Sequence, residues 1–180
     1  MAKQVEDVYG NALFEIAQEE NRIDEYLTEV EALVRVFEDS PELVAMMTHP
    51  QISEEEKESV LQNVFSGRVS DELFGLLRMV LEKGHFAEAE KIFAYFISRT
   101  KAYRKIGVVH VQTPLPLPDG QKEVLEKRLL DTTDFVSLEM HYDIEESLIG
   151  GMVIRIGDRV VDSSIRTKLE RLSHELSSGR

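Results

Sequence analysis

The histidines, acidic residues and serines of this sequence could do chemistry, but their spacing predicts no reaction centre. The five histidines are far apart in the chain: His49, His85, His110, His141 and His174. No two of them are three or four residues apart, so a zinc site built on one helix is not predicted. Histidines distant in sequence could still meet in the fold, and the sequence alone leaves that open.

Two short polar runs allow a chemical and a structural interpretation. The acids at 54–56 could bind a metal ion, but negative charge directly after Ser53 is typical of the first turn of a helix. Ser163 and Ser164 could include a nucleophile, but serine before an apolar repeat is typical of a helix cap. The structural interpretation is favoured for both runs.

The remaining residue types favour no known reaction either. There is no cysteine, which excludes disulfides, thiolate metal sites and a cysteine nucleophile. Gly150, Gly151 and Gly157 do not have the spacing of a P-loop or a dinucleotide-binding motif. The sequence therefore predicts no catalytic residues, no cofactor and no metal.

Charge and hydropathy restrict the partners that the chain can bind. The net charge is −13, which opposes binding to nucleic acid and to anionic lipid headgroups and favours a basic protein surface. No run approaches the roughly 18 apolar residues that span a bilayer. The first seven residues lack the apolar core of a secretion signal and the character of a transit peptide. Any association with a membrane is expected to be indirect, through a complex.

Apolar residues recur with a helical period through the first hundred positions. They predict six helices: Val5–Ala17, Ile23–Asp39, Pro41–Thr48, Glu54–Phe65, Asp71–Lys83 and Phe86–Arg104. Expected N-terminal caps are Ser40, Ser53 in a capping box with Glu56, and Ser70 or Asp71. The fifth helix is apolar on more than one face, so it is expected to be covered on two sides.

The periodicity changes after Lys105, where alternating patterns predict strands. Predicted strands cover Val108–Thr113, Val136–Ile144, Leu148–Ile156 and Arg159–Val161, with a helix at Gln121–Asp131 and a last helix to Leu176. Gly150 and Gly151 are expected in a bulged strand or at a close backbone approach, Gly157-Asp158 in a hairpin turn, and Ser163 or Asp162 as the last cap. The fold class is mainly α: a six-helix bundle of residues 1–105 and a smaller C-terminal α/β domain of residues 106–180.

The stretch from Leu148 to Leu172 resembles the C-terminal signature of ATP synthase delta subunits, which are related to the mitochondrial oligomycin-sensitivity-conferring protein. The signature residues are Leu148, Gly150, Gly151, Arg155, Gly157, Asp162, Arg166 and Leu169. Residues 9–17 resemble the opening helix of that family and residues 77–86 its junction between the fifth and sixth helices. Gly10 departs from the usual alanine and is expected to weaken the first helix by about 0.5–1 kcal/mol.

The resemblance implies a non-enzymatic stator subunit of a rotary F-type ATP synthase, on the cytoplasmic face of a bacterial membrane. It implies that the first and fifth helices hold the N-terminal helix of an alpha subunit, and that the C-terminal domain engages the C-terminal region of the peripheral-stalk b subunits. Candidate contacts with the alpha subunit are Tyr9, Ala12, Leu13, Ile16, Phe74, Met79 and Val80. A free protein-binding adaptor of similar architecture is the main alternative. A small enzyme is the other, and it would need a pocket of converging polar groups.

Overall fold

The helices of the first hundred residues form one compact unit in the computed structural model, which describes residues 5–178. The first four residues of the N-terminal segment discussed above lie outside the described residues. The helices of this unit are α1 (Val5–Glu19), α2 (Ile23–Asp39), α3 (Pro41–Thr48), α4 (Glu54–Phe65), α5 (Asp71–Glu82) and α6 (Ala89–Tyr103). Phe86–Glu88 form a separate 3-10 turn before α6, where one continuous helix is predicted.

The core of this unit consists of the apolar faces of all six helices. The Phe37 ring lies at its centre, with ring centroids 6.1 Å from Phe65, 5.8 Å from Phe86 and 5.9 Å from Phe93. Aromatic rings at these separations add to the stabilisation given by burial alone. The core therefore connects α2, α4 and α6 through side chains that the helical periodicity places inward.

Ser40, Ser53 and Ser70 are the N-cap residues of α3, α4 and α5, as predicted, but only Ser53 makes a capping hydrogen bond. The capping box of α4 is confirmed, because the Ser53 side chain accepts from Glu56 N while the Glu56 carboxylate accepts from Ser53 N. Ser40 and Ser70 occupy cap positions but make no capping hydrogen bond. At Ser70 the backbone N–H donates instead to the Glu29 carboxylate at 2.9 Å, which neutralises the start of α5 from another helix.

The second unit contains a four-stranded sheet with the strand order β2-β1-β3-β4. Its strands are β1 (Ile106–Thr113), β2 (Ser137–Ile144), β3 (Val153–Ile156) and β4 (Arg159–Asp162). Strand β1 is parallel to β2 and antiparallel to β3, and β3 and β4 form the predicted hairpin around Gly157 and Asp158. Helix α7 (Asp119–Thr132) connects β1 to β2, and helix α8 (Ile165–Ser178) follows β4.

The segment before β3 differs from the predicted strand. Glu146–Leu148 form a 3-10 turn, and the strand begins only at Val153. Gly150 and Gly151 therefore lie in a connecting loop, and the bulged strand is wrong. The glycine at position 151 is explained by a close approach of two backbone segments, which was the other expectation for this site. A Cβ at Gly151 would lie only 2.5 Å from the Ser163 carbonyl oxygen.

The fold is mainly α with a small C-terminal sheet, as predicted from the sequence. The compact units divide between Thr100 and Lys101, before the end of α6. Lys101 belongs to the second unit, where its ammonium group pairs with Glu139 on β2. None of the described helices combines the length and the apolar character needed to cross a bilayer.

Candidate interaction surfaces

Helix α1 exposes an apolar stripe on the side that faces away from the core. Val8, Ala12 and Ile16 are spaced by four residues and share one helix face. Val8 is 47% exposed and Ile16 39% exposed, and Ala12 is also exposed. The small Ala12 in the middle leaves room for another backbone to approach closely.

Helix α5 packs against α1 and has an exposed apolar residue of its own. Met79 is 50% exposed, while Phe74 and Leu76 are half-buried against the core. The Tyr9 ring lies 6.4 Å from the His85 ring, which places the start of α1 beside the end of α5. We call the exposed residues Val8, Ala12, Ile16 and Met79, with the half-buried Tyr9 and Phe74, the α1/α5 surface.

Two of the candidate contact residues do not reach this surface. Leu13 is 1% exposed and Val80 is 2% exposed, and both belong to the hydrophobic core. Each lies on the inward face of its helix, so it can support the α1/α5 surface from behind but cannot contact a partner directly. The helical period alone could not separate these roles, because α1 and α5 carry apolar residues on both faces.

The signature segment of the second unit connects the start of β3 to the start of α8. Ser163 N donates to the Met152 carbonyl at 2.9 Å, and Ile165 N donates to the Gly150 carbonyl at 2.9 Å. The Ser163 hydroxyl also donates to the Met152 carbonyl at 2.8 Å. These bonds fix the backbone of residues 150–152 against residues 163–165, and Leu148 is buried beside them.

The other signature residues stabilise turns or remain exposed. Gly157 takes a φ of +54° in the hairpin turn, and the Arg155 side chain donates to its carbonyl. Arg166 donates to the Ser147 hydroxyl at 3.0 Å and thereby ties α8 to the 3-10 turn. The signature is thus mainly a structural device that positions α8.

Helix α8 carries the second exposed apolar stripe of the chain. Ile165, Leu169 and Leu172 are 42%, 52% and 55% exposed, and Leu176 is 82% exposed. Their spacing of four, three and four residues places them on one face. We call these four residues the α8 stripe. An apolar face of this kind on a well-formed helix is typical of a site that packs against another helix.

The capping role expected for the serine pair is confirmed at the N-terminus of α8, but the cap is Ser164 and not Ser163 or Asp162. Ser164 is the capping residue, because its hydroxyl accepts from Thr167 N at 3.2 Å. Asp162 instead accepts from Ser164 N at 2.8 Å and from the Thr167 hydroxyl at 2.7 Å. These hydrogen bonds to Thr167 and Ser164 favour the ionised carboxylate and lower the pKa of Asp162.

Acid should therefore loosen the start of α8. Because the pKa of Asp162 is lower in the folded than in the unfolded state, its ionisation stabilises the fold fully above the ordinary aspartate pKa. That stabilisation is lost as the pH falls below about 4 and through the folded-state value. In Thr167→Val the largest cause of the shift is removed, so we expect Asp162 to titrate at higher pH. Carboxyl NMR titration of both proteins measures the change.

Glu145 serves as the internal reference in this titration. Its pKa is also lowered, chiefly by its hydrogen bonds with Ser147, and Thr167→Val leaves those bonds in place. An Asp162 titration curve that is identical in the two proteins would show that the Thr167 hydroxyl does not stabilise the carboxylate.

Strand pairing brings together two of the histidines that are scattered in the sequence. His110 on β1 and His141 on β2 are register partners, and their rings stack with centroids 4.9 Å apart. His141 Nε2 is also 2.9 Å from a Glu139 carboxylate oxygen. No local pattern predicts this pair, because it depends on the register of a parallel pairing. Within residues 5–178, no three or more histidine, aspartate or glutamate side chains are grouped so that they could hold a metal ion.

Comparison with known proteins gives matches along nearly the whole chain. The family model described as ATP synthase delta (OSCP) subunit matches residues 5–176. The chain is 42% identical to ATP synthase subunit delta of Lachnoclostridium phytofermentans, over 98% of this chain and 97% of the relative. It is 33% identical to ATP synthase subunit delta of Halalkalibacterium halodurans, over 95% of this chain and 93% of the relative.

The fold also occurs among solved structures. A chain in the cryo-EM structure of the mitochondrial ATP synthase hexamer of Toxoplasma gondii superimposes with a TM-score of 0.74, covering 97% of this chain and 98% of that chain. The sequence identity is 20%, so this likeness concerns the fold alone.

Proposed function

Because the chain belongs to the ATP synthase delta (OSCP) subunit family, we propose that it holds the catalytic head to the peripheral stalk through two separate helical contacts. As a member of this family it is a component of an ATP synthase complex and acts as a stator subunit that keeps proton-driven rotation coupled to ATP synthesis. The observation that carries the proposal is that each unit exposes an apolar stripe on a helix, on α1 in the first unit and on α8 in the second.

The α1/α5 surface is the proposed site for the N-terminal helix of an alpha subunit. An amphipathic helix can place apolar side chains along Val8, Ala12 and Ile16 and against Met79, whose flexible thioether adapts to the shape of a partner. Each Å² of apolar surface removed from water stabilises the contact by roughly 25 cal/mol, part of which is offset by the entropy lost on association. The more apolar surface the contact buries, the more slowly it dissociates, as a stator requires.

The second unit is the proposed site for the C-terminal region of the b subunits. The α8 stripe is held in position by the signature segment, so its four apolar residues present a preformed face to a stalk helix. In this role the chain makes and breaks no covalent bond, and its work is mechanical. We place it at the cytoplasmic face of a bacterial membrane, because the bacterial relatives cited above match it over nearly their full length.

The variant Ala12→Asp tests the contact with the alpha subunit. Because the aspartate would place a charge at the centre of an apolar contact, we expect the affinity for an alpha-subunit N-terminal peptide to fall by at least about tenfold, or 1.4 kcal/mol. The melting temperature of the free protein should change little, since Ala12 is exposed. Isothermal titration calorimetry measures the affinity, and circular dichroism measures the stability.

Ala32→Asp is the matched control, since Ala32 is an exposed alanine on α2 that lies outside the α1/α5 surface. It should bind the peptide like the unmodified protein. Equal affinities of the two variants would count against the α1/α5 surface.

The alternative function, a free adaptor, is distinguished from the stator role by purification from solubilised membranes. A stator subunit purifies with the catalytic head and the stalk, whereas an adaptor does not.

A further inference from the structure

Strand β2 (Ser137–Ile144) forms one edge of the sheet in the second unit. It is the first strand in the order β2-β1-β3-β4, and within residues 5–178 its one strand neighbour is β1. The backbone N–H and C=O groups of every second β2 residue therefore point away from the sheet. None of its eight residues is buried, whereas buried residues alternate along β1. The outer row of hydrogen-bonding groups is open to a further strand.

The β2 edge lacks the features with which proteins usually protect an exposed strand. Such edges are kept short, are interrupted by a bulge, or carry lysine or proline. Strand β2 contains neither lysine nor proline, and all of its residues have consecutive register partners in β1, so it has no bulge. The opposite edge is different, because β4 has four residues and begins with Arg159. A long regular edge such as β2 is suited to β-augmentation, in which an extended peptide adds a strand to a sheet.

Apart from His141, the ionisable groups that carry charge on β2 and its immediate flanks are all carboxylates. Residues 134–146 contain no lysine and no arginine, and their acids are Asp134, Glu139, Asp143, Glu145 and Glu146. Glu139 and Asp143 are four residues apart and therefore share one face of the strand with His141. Glu139 is paired with Lys101 and His141, whereas Asp143 is exposed and forms no ion pair among the described residues. The edge therefore attracts cations, and the Asp143 carboxylate is free to receive one.

A second copy of the chain is a poor occupant of this edge. Two copies related by a two-fold axis would pair their β2 strands antiparallel. With His141 on the axis, Glu139 of each copy would lie opposite Asp143 of the other, and like charges directly opposite each other destabilise a strand pair. Charge therefore opposes pairing of β2 with itself and favours a basic strand from another protein.

We propose that the β2 edge binds an extended segment of another protein that has lysine or arginine at alternate positions, and that this segment forms a fifth strand of the sheet. Main-chain hydrogen bonds provide the affinity of such a contact, and pairing of the basic side chains with Asp143 and Glu139 provides the selectivity. The eight residues of β2 span about 26 Å, so the occupant has about eight residues in extended conformation. The α1/α5 surface and the α8 stripe are suited to helices, so this site is separate from both.

The test uses the full chain and three synthetic peptides of about eight residues. The first alternates lysine and threonine, the second alternates glutamate and threonine, and the third is the first with every backbone nitrogen methylated. The first should bind, and it should shift the NMR signals of the β2 backbone amides and slow their hydrogen exchange. The second and third should bind at least about tenfold more weakly. The methylated peptide keeps its charge but cannot donate main-chain hydrogen bonds, so it separates strand addition from charge attraction alone.

Two variants test the charge selectivity of the edge. Asp143→Asn should weaken binding of the lysine peptide by about three- to tenfold at low salt, and added salt should reduce this effect. Asp158→Asn is the matched control, because Asp158 is also exposed but lies in the turn between β3 and β4. It should change the affinity by less than about twofold.

Four results would overturn the proposal. Equal effects of the two variants would show that the β2 edge does not select basic segments. Equal binding of the methylated peptide, or no binding of the lysine peptide, would exclude strand addition. A dimer of the free chain in which the β2 amides are protected from exchange would assign the edge to a second copy of the chain instead.

Discussion

The substitution Gly151→Ala is expected to destabilise the second unit by about 3 kcal/mol, the sum of a left-handed backbone strain of 1–2 kcal/mol and a steric overlap of 1–3 kcal/mol. Gly151 has a φ of +78°, and an added Cβ would lie 2.5 Å from the Ser163 carbonyl oxygen. That oxygen belongs to backbone fixed by the bond from Ser163 N to the Met152 carbonyl, so it cannot move away easily. Urea unfolding followed by circular dichroism, with hydrogen exchange at residues 163–170, measures the loss.

Gly157→Ala is the matched control for the close approach. Gly157 also has a positive φ, of +54°, but no heavy atom lies within 4 Å of an added Cβ. Only the backbone strain of about 1–2 kcal/mol should remain, without faster exchange at the start of α8. If the two variants were equally stable, the contact between Gly151 and Ser163 would not be tight enough to matter.

The helical half of the fold could be read from the sequence because its signals are local. The capping box formed by Ser53 and Glu56 and the apolar period of α1 to α6 involve residues at most a few turns apart. The hairpin turn at Gly157 is local in the same sense. Local signals also have limits, since Ser40 and Ser70 occupy cap positions without making the bond that the pattern predicts.

The second unit was less predictable because its structure depends on residues far apart in the chain. The parallel pairing of β1 with β2, and with it the stacking of His110 on His141, is set by a register that neither strand encodes alone. Gly151 is required by Ser163, which lies beyond the hairpin. The groove between α7 and the β3–β4 hairpin also combines distant parts of the chain, so Arg128 and Arg159 come together only in the folded unit.

The second large effect concerns Gly10, where Gly10→Ala is expected to destabilise the first unit even though alanine is the better helix former. A Cβ at Gly10 would lie 2.5 Å from Tyr95 Cδ1 and 3.2 Å from the Ile92 carbonyl oxygen. The Tyr95 ring is held there because its hydroxyl accepts from Asn11 Nδ2 at 3.1 Å. Overpacking of about 1–3 kcal/mol exceeds the helix-propensity gain of about 0.5–1 kcal/mol, so we expect a net loss of about 1–2 kcal/mol in urea unfolding.

Alanine in place of Gly75 should have the opposite effect on the stability of the first unit. Gly75 lies within α5, and no heavy atom lies within 4 Å of an added Cβ, so Gly75→Ala should stabilise the unit by about 0.5–1 kcal/mol. In a Tyr95→Ala background only the 3.2 Å approach to the Ile92 carbonyl oxygen remains, so Gly10→Ala should then cost much less or become neutral. A loss of equal size with and without the Tyr95 ring would show that the glycine is not there to receive it. If the destabilisation disappears when the Tyr95 ring is removed, Gly10 has a packing role. At this position α1 loses some intrinsic helix stability and gains a close contact with α6.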